Sequence, residues 1–200
     1  MSFPLVGQGE GLFAPAARPG AGEPDERLDA SLGDHPAAVF LGREFLLWLW
    51  WRSERDFGSL ELPHFGQVDF WMDDRIQLRT AGDDPMVSDL KGGAPATTPE
   101  ARMAVLAGKT VETARIGLRK GDREYALALR SDPLEIAGLK VPGEVKDGVD
   151  ERIYERMFLL EEATGMVDAL FFLFCSDRLG ASWDVETLPQ IRAWLSGRAG

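Results

Sequence analysis

The stretch from Gly108 to Pro142 reads GKTVETARIGLRKGDREYALALRSDPLEIAGLKVP. Gly121-Asp122 is a two-residue turn signal, with Gly at the first central position as a type II′ hairpin requires. Folding the chain about it sets Leu118 opposite Tyr125, Ile116 opposite Leu127 and Ala114 opposite Leu129. All six share one face, because strand side chains alternate. The other face pairs Arg119 with Glu124 and carries Thr113, Arg115 and Arg130. The spacing therefore predicts a half-buried sheet, apolar toward a core and arginine-bearing toward solvent or a partner.

Upstream, Val68, Phe70 and Met72 alternate, Asp73-Asp74 reads as a turn, and Ile76 and Leu78 return in a second meander. Met86–Lys91 adds a strand and Gly92–Thr97 a loop. A short helix follows, with Thr98 as N-cap, Pro99 at the first helical position and Gly108 just past its end. A first helix is expected over Pro36–Arg55 with Asp34 as N-cap. It is apolar nearly all round from Phe45 to Trp51, which calls for burial on several sides. Phe45, Trp48, Trp50 and Trp51 are candidates for a protein interface, because Trp is enriched there; core packing is the simpler reading. A long helix is expected over Asp150–Arg178, where Ile153, Met157, Leu160, Val167, Leu170 and Phe174 recur at helical spacing, with Gly165 as a kink or close-packing point. A last helix over Ser182–Leu195 starts at Ser182 and is interrupted by Pro189. The fold class is α+β: an antiparallel β-meander sheet of about five to six strands packed with helices on one side, including a long C-terminal helix. Residues 1–35 are rich in Gly, Pro, Ala and charge and read as a disordered tail in which only Leu5, Leu12 and Phe13 could dock; 36–200 read as one domain.

The chain has 200 residues and a formal net charge of −11, which argues against a generic polyanion binder. The charge is unevenly placed. Arg75–Arg130 holds ten Lys/Arg against seven Asp/Glu, whereas the remainder holds twelve against twenty-six. A locally basic sheet on an acidic body is compatible with nucleic-acid contact, and a solvated face of mixed charge is the plainer reading. The single cysteine, Cys175, excludes an internal disulfide and fits a buried thiol in a reducing cytoplasm. The longest apolar runs, Phe45–Trp51 and Ala169–Cys175, are seven residues each, too short to span a bilayer, and the N-terminus lacks the basic start of a secretory signal.

Ala107–Thr110 (AGKT) mimics the end of a phosphate-binding loop, but Met103 stands where the first Gly is needed and the order of elements is reversed. Lys109 reads instead as a cation at a helix C-terminus. His35 and His64 have no ligand partners at metal spacing, and no nucleophile elbow is present. The doublets Asp73-Asp74, Asp83-Asp84 and Glu161-Glu162 suit turns or solvated helix faces better than a magnesium site. No catalytic residue, cofactor or metal is assigned. The chain has no Asn and four Gln, the usual readers of adenine, which disfavours base-specific recognition and leaves phosphate contact by Arg and Lys as the sequence-independent alternative. Candidates for it are Arg115, Arg119, Lys120, Arg123 and Arg130 around the hairpin, with Arg75 and Arg79 on the earlier meander.

The Gly108–Lys140 hairpin, the Trp-bearing FLGREFLLWLWWRSE (Phe40–Glu54), the strand VDFWMDDRIQLR (Val68–Arg79) and the Phe/Leu-rich helix Glu151–Leu179 occur in an order that resembles the C-terminal half of the recombination-associated protein RdgC family. The resemblance covers Phe40 to the C-terminus. It implies a nucleoid-associated, cytoplasmic protein that binds duplex DNA with little sequence preference, assembles as a ring-shaped dimer and modulates recombination. The family's N-terminal half has no counterpart here, so a partner chain could have to supply it. The alternative is a non-enzymatic acidic interaction or dimerisation module using the Trp-rich and C-terminal helices.

Overall fold

A computed structural model describes residues 37–56, 58–81, 84–143 and 149–197. Helix α1 spans Ala37–Arg55 and is followed by β1 (Ser59–Leu62), β2 (Gly66–Thr80) and β3 (Val87–Lys91). A 3₁₀ turn at Pro95–Thr97 leads into α2 (Pro99–Leu106), then β4 (Lys109–Lys120), β5 (Arg123–Ser131) and β6 (Leu134–Lys140). Helix α3 (Val149–Leu179), a π turn (Trp183–Thr187) and α4 (Leu188–Leu195) complete the α+β fold. The expected tail, Asp34 and His35 lie outside the described residues.

All strand pairings are antiparallel, in the order β1-β2-β4-β5-β6, with β3 on the same edge of β2 as β1. The hairpin register is the one its sequence dictates: Leu118 pairs with Tyr125, Ile116 with Leu127 and Ala114 with Leu129. Gly121 has φ +62 and Asp122 is not among the residues of positive φ, as a type II′ turn requires.

The expected turn at Asp73-Asp74 is absent. Residues Gly66–Thr80 form one strand, and the acidic pair lies in an irregularity where β2 carries extra residues between Met72 and Ile76 relative to β4. Two extra residues preserve the side-chain parity, so Phe70 and Ile76 both stay on the core face. A compensating shift beside Glu112 keeps Val111 and Ala114 there too.

Helix α1 is the centre of the core. Phe45 through Trp51 are all at most 4% exposed. One side packs on the sheet, where Gly42 lets the helix approach β5: a Cβ there would lie 2.0 Å from the Ser131 carbonyl oxygen. The other sides meet α3 and α4 through Phe45–Phe174 and Trp50–Trp194 ring contacts. Burial of several large aromatics at roughly 3–5 kcal/mol each explains why a helix apolar all round is stable here. The indole N–H groups keep partners: Trp48 donates to Asp177 at 3.1 Å, and Trp50 and Trp194 both donate to Glu54, at 3.0 and 2.9 Å. The candidate interface of Phe45, Trp48, Trp50 and Trp51 is therefore corrected: this chain's own sheet and helices already cover all four.

Helix α3 is continuous through Gly165, where a Cβ would sit 2.7 Å from the Phe65 ring, so this glycine is a close-packing point and not a break. The buried residues of α3 begin at Leu159 and continue through Ala163, Met166, Val167, Leu170 and Phe174. Ile153, Met157 and Leu160, expected in the apolar stripe, are exposed. Pro189 opens α4 within its first turn, after the π turn that replaces the start of the expected last helix.

Candidate functional site

The seven candidate cations divide between the two faces of the sheet. Arg75, Arg79, Arg115, Arg119 and Arg130 lie on the outward face by strand parity. Lys120 and Arg123 lie on the helix side, at the tip of the β4–β5 hairpin. The single patch expected from the sequence is thus two separate groups.

Each outward arginine is engaged by a carboxylate of this chain. Arg75 Nε and Nη2 hold the two Asp89 oxygens at 2.9 Å each, a bidentate fork. Arg79 reaches Glu112 at 2.7 Å and Arg115 reaches both Asp74 oxygens at 2.9 and 3.1 Å. Arg119 turns away from its cross-strand neighbour Glu124 and gives two N–H bonds to Asp69 Oδ2 at 3.0 and 2.7 Å. Arg130 meets Glu135 at 2.6 Å. Hydrogen bonds from Arg119 and Ser59 hold the Asp69 carboxyl below its ordinary range, and those from Arg75 and Lys91 hold Asp89 at about 2. These acids are charged at neutral pH, so the face is a lattice of closed pairs. Trp71 lies on it with its ring across Gly117, where a Cβ would meet the indole at 2.1 Å. Lys109, read as a helix-end cation, instead begins β4 and donates to Ser88 Oγ at 2.6 Å.

On the helix side, Lys120 and Arg123 converge on one buried acid of α3. Glu162 is 4% exposed in its side chain and accepts from Lys120 at 2.7 Å and Arg123 at 3.1 Å. The Tyr125 hydroxyl donates to its other oxygen. Desolvation disfavours the charged carboxylate, but the bonds from Lys120 and Tyr125 and the two nearby cations outweigh it and keep Glu162 below the usual range. Burial and the bond to Glu162 raise the Tyr125 phenol. Arg123 also stacks over Phe158 and Lys120 over Phe65. Sequence reading missed this cluster, since Glu162 sits in an acidic doublet that looked solvated; its i+4 neighbour Met166 and i+8 neighbour Leu170, both buried, were the available signal.

A second surface lies along α3. Tyr154 is 72% exposed, Met157 59%, Phe158 54%, Phe172 72% and Leu179 84%. Beside Phe172 a groove of about 540 Å³ opens between Pro63, His64 and Phe65 on the β1–β2 turn and Gly165, Ala169 and Leu173 on α3. His64 holds the turn at φ +67, a left-handed conformation uncommon for a residue with a Cβ. Among the described residues no group of three or more His, Cys, Asp or Glu could hold a metal ion, and no helix is long and apolar enough to cross a membrane.

The chain matches no protein-family model and no curated protein.

Proposed function

We propose that the chain is a non-enzymatic protein-association module that works through the exposed flank of α3. One observation carries this reading: a single helix leaves Tyr154, Met157, Phe158, Phe172 and Leu179 more than half exposed, beside an apolar groove. Scattered surface apolar residues need no explanation, but two groups of large exposed side chains on one helix, Tyr154, Met157 and Phe158 toward one end and Phe172 and Leu179 toward the other, mark an interaction surface. The outward arginines contrast with it, because each already has a carboxylate within hydrogen-bonding distance. In an extract of cells that make the protein, the native chain is expected to elute above the 22.0 kDa of a monomer, and Phe158→Glu is expected to return it to monomer size. Elution of the native chain as a monomer contradicts the reading.

The second reading is sequence-nonspecific duplex DNA binding of the RdgC type, with a role in recombination at the nucleoid. It is favoured by the outward sheet face, where five arginines share a face with Trp71 and their side chains are 33–52% exposed. Exposed ion pairs contribute only about 0–1 kcal/mol each, so phosphates could exchange for the carboxylates. Fluorescence anisotropy of a random-sequence duplex tests it: binding at low salt that falls steeply as salt rises supports it, and no binding at low salt removes it.

A further inference from the structure

We propose that the groove where α1, α2 and α4 meet is a binding site for a small aromatic carboxylate. The groove has a volume of about 560 Å³ and shares no residue with the α3 flank or the outward sheet face. Small-molecule sites occupy roughly 300–1,000 Å³. Trp51, Glu54 and Arg55 of α1, Arg102 of α2, and Gln190 and Trp194 of α4 line it. Each of these tryptophans carries a guanidinium. Arg55 Cζ stands 4.9 Å from the centre of the Trp51 ring, and Arg102 Cζ stands 4.9 Å from that of Trp194. Both indoles are buried, so they act as platforms that hold the two planar cations in place.

The acid of the groove is already satisfied. Glu54 Oε1 accepts from Trp50, and Oε2 accepts from Trp194 and Arg102. Arg102 thus matches its charge, and Arg55 is left over. The one ion pair of Arg55 among the described residues is with Asp56 at 4.0 Å, and Asp56 is itself held by Arg52 at 2.6 Å. Arg55 makes no hydrogen bond among the described residues, and its side chain is 46% exposed. The half-buried Gln190 side chain makes none either, and Arg102 Nε is buried without a hydrogen-bond partner. The outward arginines differ, because each already holds an acid. Unspent donors around a groove completed by Ala193 and Gly197 call for an anionic acceptor on a flat apolar body. A carboxylate fits the Arg55 fork as a bidentate pair, and an aromatic ring stacks on a guanidinium plane.

Nuclear magnetic resonance of the full chain with isotope-labelled tryptophan, titrated with benzoate, tests this. The indole N–H signals of Trp51 and Trp194 should shift and saturate with a Kd of about 1 mM or tighter, while that of Trp71 on the outward sheet face stays fixed. Benzamide keeps the ring and loses the charge; acetate keeps the charge and loses the ring. Each should bind at least about tenfold more weakly than benzoate. Arg55→Leu should weaken benzoate at least about tenfold with the signal of Trp71 unmoved, and Arg55→Lys, which keeps the charge without the fork, should fall between. No saturating shift at Trp51 and Trp194, acetate binding as tight as that of benzoate, or benzoate binding indifferent to Arg55→Leu overturns the inference.

Discussion

The outward face of the sheet and the exposed flank of α3 both lie at the surface and are opposite in chemistry. The sheet face carries five arginines in reach of solvent, yet its charge is spent internally on Asp69, Asp74, Asp89, Glu112 and Glu135. The helix flank leaves Tyr154, Met157, Phe172 and Leu179 more than half exposed, with Arg123 stacked over Phe158. The contrast teaches that charge counted along a sequence is not charge available to a partner. A strand pattern fixes which face a side chain takes but not which neighbour closes it. An apolar helix that outruns its core, in contrast, leaves surface that nothing local can satisfy.

The comparison assumes that the Trp-rich helix is core and not a third surface. Trp50→Ala should cost about 3–5 kcal/mol, read as a lowered denaturation midpoint. A fully folded variant of unchanged midpoint would move these tryptophans to the interface list and break the contrast. Next in size is the cluster at Glu162. Glu162→Ala leaves Lys120, Arg123 and Tyr125 without their shared acceptor, and roughly 2–4 kcal/mol should be lost, less than for a fully buried pair because both cations are partly exposed. A loss no greater than that of an outward pair would show that the two sides of the sheet do not differ as described.

Glu44 gives a pH test of the helix layer. Its side chain is 1% exposed, Arg178 donates to Oε2 at 2.6 Å, and Oε1 has no hydrogen-bond partner among the described residues. Burial pushes its pKa up to about 7, against the pull of Arg178. The folded state therefore binds this proton more tightly than the unfolded chain does. The resulting stabilisation is full below about 4.5 and is lost as pH rises through about 7. Between pH 8 and pH 5 the midpoint of urea denaturation should rise by the equivalent of about 2 kcal/mol, and Glu44→Gln should flatten that rise. Equal slopes for the two proteins would remove Glu44 as its source. The smallest effect belongs to the outward lattice. Asp69→Asn should change stability by less than about 1 kcal/mol, and by less still in high salt.

Most of the fold was legible because its signals are local. The Gly121-Asp122 turn fixes the register of Ala114, Ile116 and Leu118, and Thr98-Pro99 with Gly108 bounds α2. The strand β2 was misread because Asp73-Asp74 has turn chemistry while the extra residues preserve parity, so a bent strand and a hairpin share one pattern. Along α3, Ile153 and Met157 keep helical spacing before the buried segment begins and Leu160 lies on its exposed side, and spacing alone does not say where the covering elements stop. The site was legible only in part. The outward positions of Arg115, Arg119 and Arg130 follow from alternation, but Asp69 and Asp74 reach Arg119 and Arg115 across 50 and 41 residues of sequence. Glu162 reaches Lys120 and Arg123 from 42 and 39 residues away.

The most direct test of the contrast is sedimentation velocity of the purified chain with a labelled random-sequence duplex, at low and at high salt. The account predicts the duplex sedimenting alone at both salt concentrations. Duplex that co-sediments with the protein at low salt and is released at high salt, with the protein otherwise monomeric, would contradict it and return function to the arginine face.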